Sequence, residues 1–496
     1  MIKRTASRHA LLGLALATTL GAPFAMADNA ASSAAPQAAS TAALGSKLQT
    51  LKELNGKAPA RRDLNIQTWQ TAEGAKVLFV EARELPMFDL RLTFAAGSSQ
   101  DGNAPGLATL TNAMLNEGIA GKDVTAIAQG FEGLGADFGN GSYRDMAVAS
   151  LRSLSAPDKR EPALKLFSEV LGKPTFPADS LARIKNQLLA SFEYQKQNPG
   201  VIASKALFDK VYGDHPYAHP SDGTPESIKA IDIAQLKAFH AKAYAAGNAV
   251  IALVGDLSRE QAQAVAAQVS ASLPKGPALP KTTAPVEPKA GVTHIEFPSN
   301  QTHLMLAQLG IDRNDPDYAA LTVGNSVLGG GGFGSRLMTE VREKRGLTYG
   351  VSSNFTAMQV RGPFLIGLQT RADMSQNTLK LVQDIVREFL AKGPTQKELD
   401  DVKRELTGSF PLTAASNSAI VGQLGAIGFY DLPLTYLEDY MTQAQNVTVE
   451  QVKAAMNKHL SADKMVVVTV GPTVAQKELP APVDKPVEQP AGVPEH

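Results

Sequence analysis

The segment IAQLKAFHAKAYAAGNAVIALVGD at 233–256 returns 216 residues later as VEQVKAAMNKHLSADKMVVVTVGP at 449–472. Gln235, Lys237, Ala238, Lys242 and Gly255 recur as Gln451, Lys453, Ala454, Lys458 and Gly471. Leu164-Lys165-Leu166 matches Leu379-Lys380-Leu381 at an offset of 215, and Ser191-Phe192 matches Ser409-Phe410 at 218. A nearly constant offset across separate elements marks an internal duplication. Two copies are too few for a solenoid, so the chain is expected to fold as two homologous domains.

The first copy shows what each domain contains. An apolar run at 77–81 is followed, after Pro86, by Phe88, Leu90, Leu92 and Phe94 alternating with Asp89, Arg91 and Thr93, the period of a half-buried strand. Leu107, Leu110, Met114 and Leu115 then fall at helical spacing, further helices cover 161–172, 180–197 and 227–244, and a β-rich run closes the copy at 249–255. Strands at both ends and helices between them predict an α+β domain whose sheet is covered on one face by helices.

Punctuation divides the chain. Lys3, Arg4 and Arg8 precede an apolar run at 10–20, and Ala25-Met26-Ala27 offers a cleavage site, so 1–27 reads as a signal peptide and the mature protein as periplasmic or secreted. An Ala/Ser-rich flexible segment follows at 28–60, then an N-terminal domain at 61–273. A Pro-rich linker spans 274–291, a C-terminal domain 292–472, and a Pro-rich tail expected to be disordered 473–496. No later stretch approaches about 18 uninterrupted apolar residues, so no membrane span is expected. The 48 basic and 48 acidic residues cancel, which argues against nucleic acid as a partner. The absence of cysteine removes disulfides, thiolate nucleophiles and iron–sulfur clusters, leaving only His, Asp and Glu as strong metal ligands.

The stretch EARELPMFDLRLTFAAGSSQDGNAPGLATLTNAML, with FEGLGADFGNGSYRD at 131–145, resembles the N-terminal half of the pitrilysin/insulinase family of zinc metallopeptidases, in its processing-peptidase-like branch. VLGGGGFGSRLMTEVREKRGLTYGVSS at 327–353 looks like that family's glycine-rich segment with its following arginine and tyrosine. The resemblance covers about 65–471 and implies two related domains, each a mixed β-sheet backed by helices. It also implies closed chambers that admit peptides or unfolded polypeptides.

Active members of that family carry His-x-x-Glu-His on the helix after the second strand, with two zinc-ligating imidazoles and a carboxylate as general base. The matching stretch here is Thr109-Leu110-Thr111-Asn112-Ala113. The family's third ligand, a glutamate, aligns near Ala190 or Ser191; Glu193 is close in sequence but two or three places along a helix turn a side chain roughly 200° to 300° away. No His-x-x-Glu-His or His-Glu-x-x-His occurs anywhere in the chain. This chain is therefore expected to bind no cofactor, any zinc being carried by a partner subunit. His215 and His219 have a ligand-like spacing, but Pro216 and Pro220 break the helix that would make use of it, so DHPYAHP reads as an ordered loop. His240, His294, His303 and His459 are isolated in sequence and read as surface or core histidines.

Gly329, Gly331 and Gly334 satisfy G-x-G-x-x-G, yet a helical pattern precedes them at 318–328 where a dinucleotide site needs a strand. Gly329, Gly330, Gly331 and Gly332 instead read as a substrate-binding loop that lets another backbone approach, by analogy with the zinc-free subunit of mitochondrial processing peptidase. A plain turn is the simpler alternative. Arg342 and Tyr349 stand where the resemblance places an arginine and a tyrosine facing the catalytic cleft, suited to hold a substrate carbonyl and the oxyanion of peptide hydrolysis. Lys344 and Arg345 read as solvated, and a carboxylate such as Glu340 or Glu343 is the competing partner for Arg342. These features together suggest a zinc-free subunit, inactive alone, that contributes to the metalloendopeptidase activity of a heterodimer with a homologous zinc-bearing chain. The alternative is an inactive envelope peptide-binding or scaffold protein.

Overall fold

The computed structural model describes residues 64–483. The expected signal peptide, the segment 28–60 and the tail beyond 483 lie outside the described residues.

The first half runs through β1 (Gln67–Gln70), β2 (Lys76–Glu81), β3 (Met87–Phe94), α1 (Leu107–Ala113), β4 (Gly118–Ile119), β5 (Lys122–Asp123), α2 (Val124–Glu132), β6 (Asp137–Ser142) and β7 (Ala147–Leu154). It continues with α3 (Pro157–Gly172), α4 (Ala178–Gln195), α5 (Pro199–Tyr212), α6 (Pro225–Ala230), α7 (Ile233–Ala243), β8 (Ala249–Gly255) and α8 (Arg259–Ser272). The second half has β9 (Gly291–Glu296), β10 (Gln301–Leu309), α9 (Tyr318–Asn325), β11 (Val351–Phe355), β12 (Pro363–Arg371), α10 (Ser375–Lys392), α11 (Gln396–Ser409), α12 (Asn417–Phe429), α13 (Tyr436–Asn446), α14 (Val449–His459) and β13 (Val466–Gly471).

The two sheets share one plan. The first has the order β1-β2-β8-β3-β7-β6 and the second, read from its other edge, β9-β13-β10-β12-β11. In each the closing strand pairs parallel with an early one, β8 with β2 and β13 with β9, while β3 and β10 run antiparallel to both neighbours. These are mixed sheets in an α+β fold, as expected. The recurring residues have local reasons. Gln235 and Gln451 are the third residues of α7 and α14, where their side chains return to the backbone N–H of Asp232 and Thr448 in capping boxes. Gly255 and Gly471 end the closing strands, where a Cβ would stand 2.4 Å from the Met87 carbonyl oxygen and 2.4 Å from Thr302 Oγ1.

Each sheet has its own helices on one face, around cores that include Phe79, Leu90 and Phe167 in the first half and Leu306, Ile366 and Phe389 in the second. The opposite faces are covered by exchange. Ala203, Leu207 and Val211 of α5 pack on Met305, Ala307, Val468 and Val470 of the second sheet. Ile420, Val421, Leu424 and Ile427 of α12 pack on Leu78, Val80, Val250 and Ala252 of the first. Each fully buried Leu or Ile contributes roughly 1.5 to 3 kcal/mol, so the halves are joined by core-like contacts rather than by the linker alone. For this reason β3 is buried on both faces: Asp89 and Thr93, expected on a solvated face, are 7% and 1% exposed, Thr93 Oγ1 lying 3.3 Å from the Cβ position of Gly425 on α12 and Asp89 pairing with Arg152 of β7.

Three expectations are corrected. The helix expected over 227–244 is two helices, because Ile231 is extended and the Asp232–Gln235 capping box starts α7 afresh. Residues 473–483, expected to be disordered, lie along the second half: Lys477 donates its backbone N–H to Asp373, Gln476 bonds the Ala372 carbonyl, and Leu479 packs on the core. Burial of a few side chains and bonds to the turn before α10 and to its first residues suffice to order a Pro-rich segment without regular structure. Lys344 and Arg345, expected in solvent, both bridge Glu340, at 2.8 and 2.7 Å. Residues 274–290 have no regular structure but are tied down, with Leu279 donating to Asn248 and Glu287 paired with Arg361.

Candidate functional site

The helix that would carry a zinc motif is α1. Gly106 enters it with φ of 93°, and the buried Asp101 carboxylate accepts the backbone N–H groups of Gly106 and Ala108 at 2.8 and 2.7 Å. Burial pushes the Asp101 carboxyl above its ordinary value, opposed by His219 and those amides. The three positions that matter on α1 hold Thr109, Asn112 and Ala113. Thr109 Oγ1 donates to the Ser221 carbonyl at 2.7 Å, and Asn112 donates to Tyr244 Oη at 3.1 Å. The third-ligand position on α4 is equally engaged: Gln195 donates to Asp222 at 3.0 Å and reaches Ser191 Oγ at 3.4 Å, while Lys205 donates to Gln195. Glu193 faces solvent and pairs with Lys196. Thr and Asn offer only weak neutral oxygens and Ala none, so these residues do not fit a zinc ion. The space is closed by hydrogen bonds between α1, α4 and the loop around Ser221.

DHPYAHP is an ordered loop with a structural task. Arg144 donates to the carbonyls of Tyr217 and His219, and burial lowers its guanidinium to about 10. Asp145 accepts from Tyr217 Oη and from the Gln359 backbone N–H, which ties the loop to the second half. His219 Nε2 lies 3.0 Å from the Ser98 carbonyl, and His215 Nε2 lies 2.7 Å from the Thr283 carbonyl. His240 bonds the Leu171 carbonyl in the core. His459, isolated in sequence, is not isolated in space. With Asp315 and Asp317 it forms a cluster of metal-ligating types, the potential ligand atoms all within 4.8 Å of one another. Lys458 already supplies a cation there, 2.7 Å from Asp317, and this hydrogen bond leads the effects that lower the Asp317 carboxyl.

The glycine-rich segment has two parts. A Cβ on Gly329 would stand 2.5 Å from Ser353 Oγ, on Gly330 2.5 Å from Asn325 Nδ2, and on Gly331 2.5 Å from the Ser326 carbonyl oxygen. These three glycines therefore admit the chain's own neighbours, Gly329 and Gly330 in a π-helical turn that extends α9 and Gly331 capping it. Gly332 differs: φ is 61°, and nothing lies within 4 Å of its Cβ position. It presents the exposed Phe333. The segment is anchored behind Phe333 by Arg336, which pairs with Glu398 and the Gly393 carbonyl.

Arg342 and Tyr349 are brought together by a turn. Gly346, at φ of 60°, donates to the Arg342 carbonyl, and Leu347 buries itself and returns its N–H to Val341. The Arg342 guanidinium carbon then lies 4.8 Å from the Tyr349 ring centroid and 4.7 Å from that of Phe333. Among the described residues its N–H groups make no hydrogen bond or ion pair; Glu340 is taken by Lys344 and Arg345. Phe333 was not singled out in the sequence, where only its place between Gly332 and Gly334 marked it.

The comparisons fit this geometry. The family model described as "Peptidase M16 inactive domain" matches residues 230–406. The chain is 30% identical over 399 residues to the "Non-peptidase homolog YmxG" of Helicobacter pylori, covering 79% of this chain and 91% of that protein. It is 26% identical over 322 residues to an uncharacterized zinc protease of Mycobacterium bovis, covering 64% and 73%. Among solved structures, a peptidase M16 inactive domain from Pseudomonas fluorescens is 78% identical, with a TM-score of 0.82 over 84% of this chain and all of that one. A protease from Helicobacter pylori shares the fold at 18% identity, with a TM-score of 0.76 over 82% of this chain and all of that one. With its duplicated fold and without zinc-ligating side chains at the motif positions, the chain belongs to the M16 family, the pitrilysin/insulinase peptidases, as a homologue of the inactive type.

Proposed function

We propose that this protein is the zinc-free subunit of a two-chain peptidase, lending substrate-binding and oxyanion-stabilising groups to a homologous zinc-bearing chain that cleaves peptides or unfolded polypeptides outside the cytoplasm. The observation that carries the reading is the state of Arg342: a guanidinium held against the Tyr349 ring, its donors unpaired among the described residues, on a chain that has kept none of the metal ligands. Arg342 and Tyr349 can each donate to a substrate carbonyl or to the oxyanion developing from it. Gly332 and its exposed neighbours offer the part of the glycine-rich segment where a second backbone has room to approach.

The test is reconstitution. Neither chain alone should hydrolyse peptides efficiently, whereas this protein mixed with a homologous His-x-x-Glu-His chain should give zinc-dependent cleavage. Arg342→Ala should then lower turnover by about a hundredfold, the usual loss for one oxyanion donor, and Tyr349→Phe should lower it as well. Full activity in both variants, or stoichiometric zinc and robust hydrolysis in the isolated protein, would overturn the proposal.

A further inference from the structure

Phe333 and Tyr349 are 63% and 76% exposed, yet both contact the same guanidinium. Both rings stack on Arg342 and leave its N–H edge without a hydrogen-bond partner among the described residues. The surrounding charges sharpen the point. Arg336 pairs with Glu398, and Lys344 and Arg345 share the one carboxylate of Glu340. Glu343, next in sequence and exposed, makes no bond to Arg342. A positive group thus stands apart from the nearby acids, between the Gly346 turn on one side and the glycine-rich segment, anchored through Arg336, on the other.

We propose that Phe333, Arg342 and Tyr349 form a clamp for a peptide carboxylate. A guanidinium edge matches a planar carboxylate through two parallel charge-assisted hydrogen bonds, a geometry that a neutral carbonyl fills only by half. Phe333 is the positioning residue, restricting the arginine so that less rotamer freedom is lost when the ligand docks. The carboxylate is supplied either by the C-terminus of a peptide or by an Asp or Glu side chain within it. This inference rests on reading Arg342 and Tyr349 as substrate groups, and it adds the chemical class they select and the third residue that orients them.

The test uses the isolated full chain labelled with 15N-arginine, with the Arg342 Nε–H signal assigned by its loss in Arg342→Lys. Three probes are titrated at low salt: acetyl-trialanine as the free acid, its C-terminal amide, and an amide of the same length carrying one glutamate. The free acid should move the Arg342 signal and the plain amide should not. A response to the glutamate amide assigns the clamp to carboxylates in general, and its failure confines the clamp to C-termini. Phe333→Ala should weaken acid binding about two- to fivefold, the worth of an exposed cation–π contact, and Phe333→Trp should restore it. Equal shifts with acid and amide, no shift with any probe, or undiminished binding in Phe333→Ala would overturn the clamp. No partner chain is needed, so carboxylate binding without hydrolysis in the mixed chains would sink the proposed function alone, and the reverse result would sink the clamp alone.

Discussion

The exchange of helices between the halves makes a prediction about two glycines on one helix. At Gly428 of α12 a Cβ would stand 2.3 Å from Val250 Cγ1 and 2.8 Å from Leu78 Cδ1. Those neighbours cannot retreat easily, because Val250 is paired on both sides, to Lys76 of β2 and Thr93 of β3, and Leu78 lies between β1 and β8. At Gly422, six residues earlier, nothing lies within 4 Å of the Cβ position. Gly428→Ala should therefore destabilise the protein by about 1 to 3 kcal/mol through overpacking. Gly422→Ala should stabilise it by about 0.5 to 1 kcal/mol, because alanine loses less backbone freedom in a helix. Urea unfolding followed by circular dichroism should place the two variants on opposite sides of the parent, separated by roughly 1.5 to 4 kcal/mol. Equal stabilisation by both substitutions would refute the docking of α12 on the first sheet.

Two further perturbations probe the joints around the site. Burial pushes the Glu398 carboxyl up, but the bonds from Arg336 and Thr395 outweigh it and hold the group at about 2, against an ordinary 4.5. A depressed carboxyl contributes stability that is present above its unfolded value and lost as pH falls toward the folded one. The urea midpoint should thus decline between pH 4.5 and 2 partly through this group, and Glu398→Gln should flatten that part of the decline; an unchanged slope would reject the Arg336 anchor. Asp145→Asn retains only one acceptor for the two donors, Tyr217 Oη and Gln359 N–H, and should cost about 1 to 3 kcal/mol. The loss should appear in urea unfolding together with faster proteolysis of the loop around Gln359, and neither would follow if Asp145 were idle.

Much of the site was legible because it depends on side-chain chemistry at aligned positions. Thr109 and Asn112 offer only weak neutral oxygens and Ala113 none, whatever surrounds them. What could not be read was how they are used, since Ser221, Tyr244 and Asp222 approach from segments more than a hundred residues away or across a loop. The four glycines looked alike in sequence, yet three make room for Ser353, Asn325 and Ser326 and only Gly332 faces open space. The same holds for His459, whose acidic neighbours lie some 140 positions earlier.

The sequence by itself determined the duplication, the alternation of β3 and the loss of metal ligands. Each of these follows from period, spacing or the chemistry of a single side chain, all local properties. Only the tertiary structure decided that α5 and α12 change places and that Phe333 joins Tyr349 at Arg342. Those contacts form between surfaces that do not exist until both sheets have folded, so no local pattern can encode their partners.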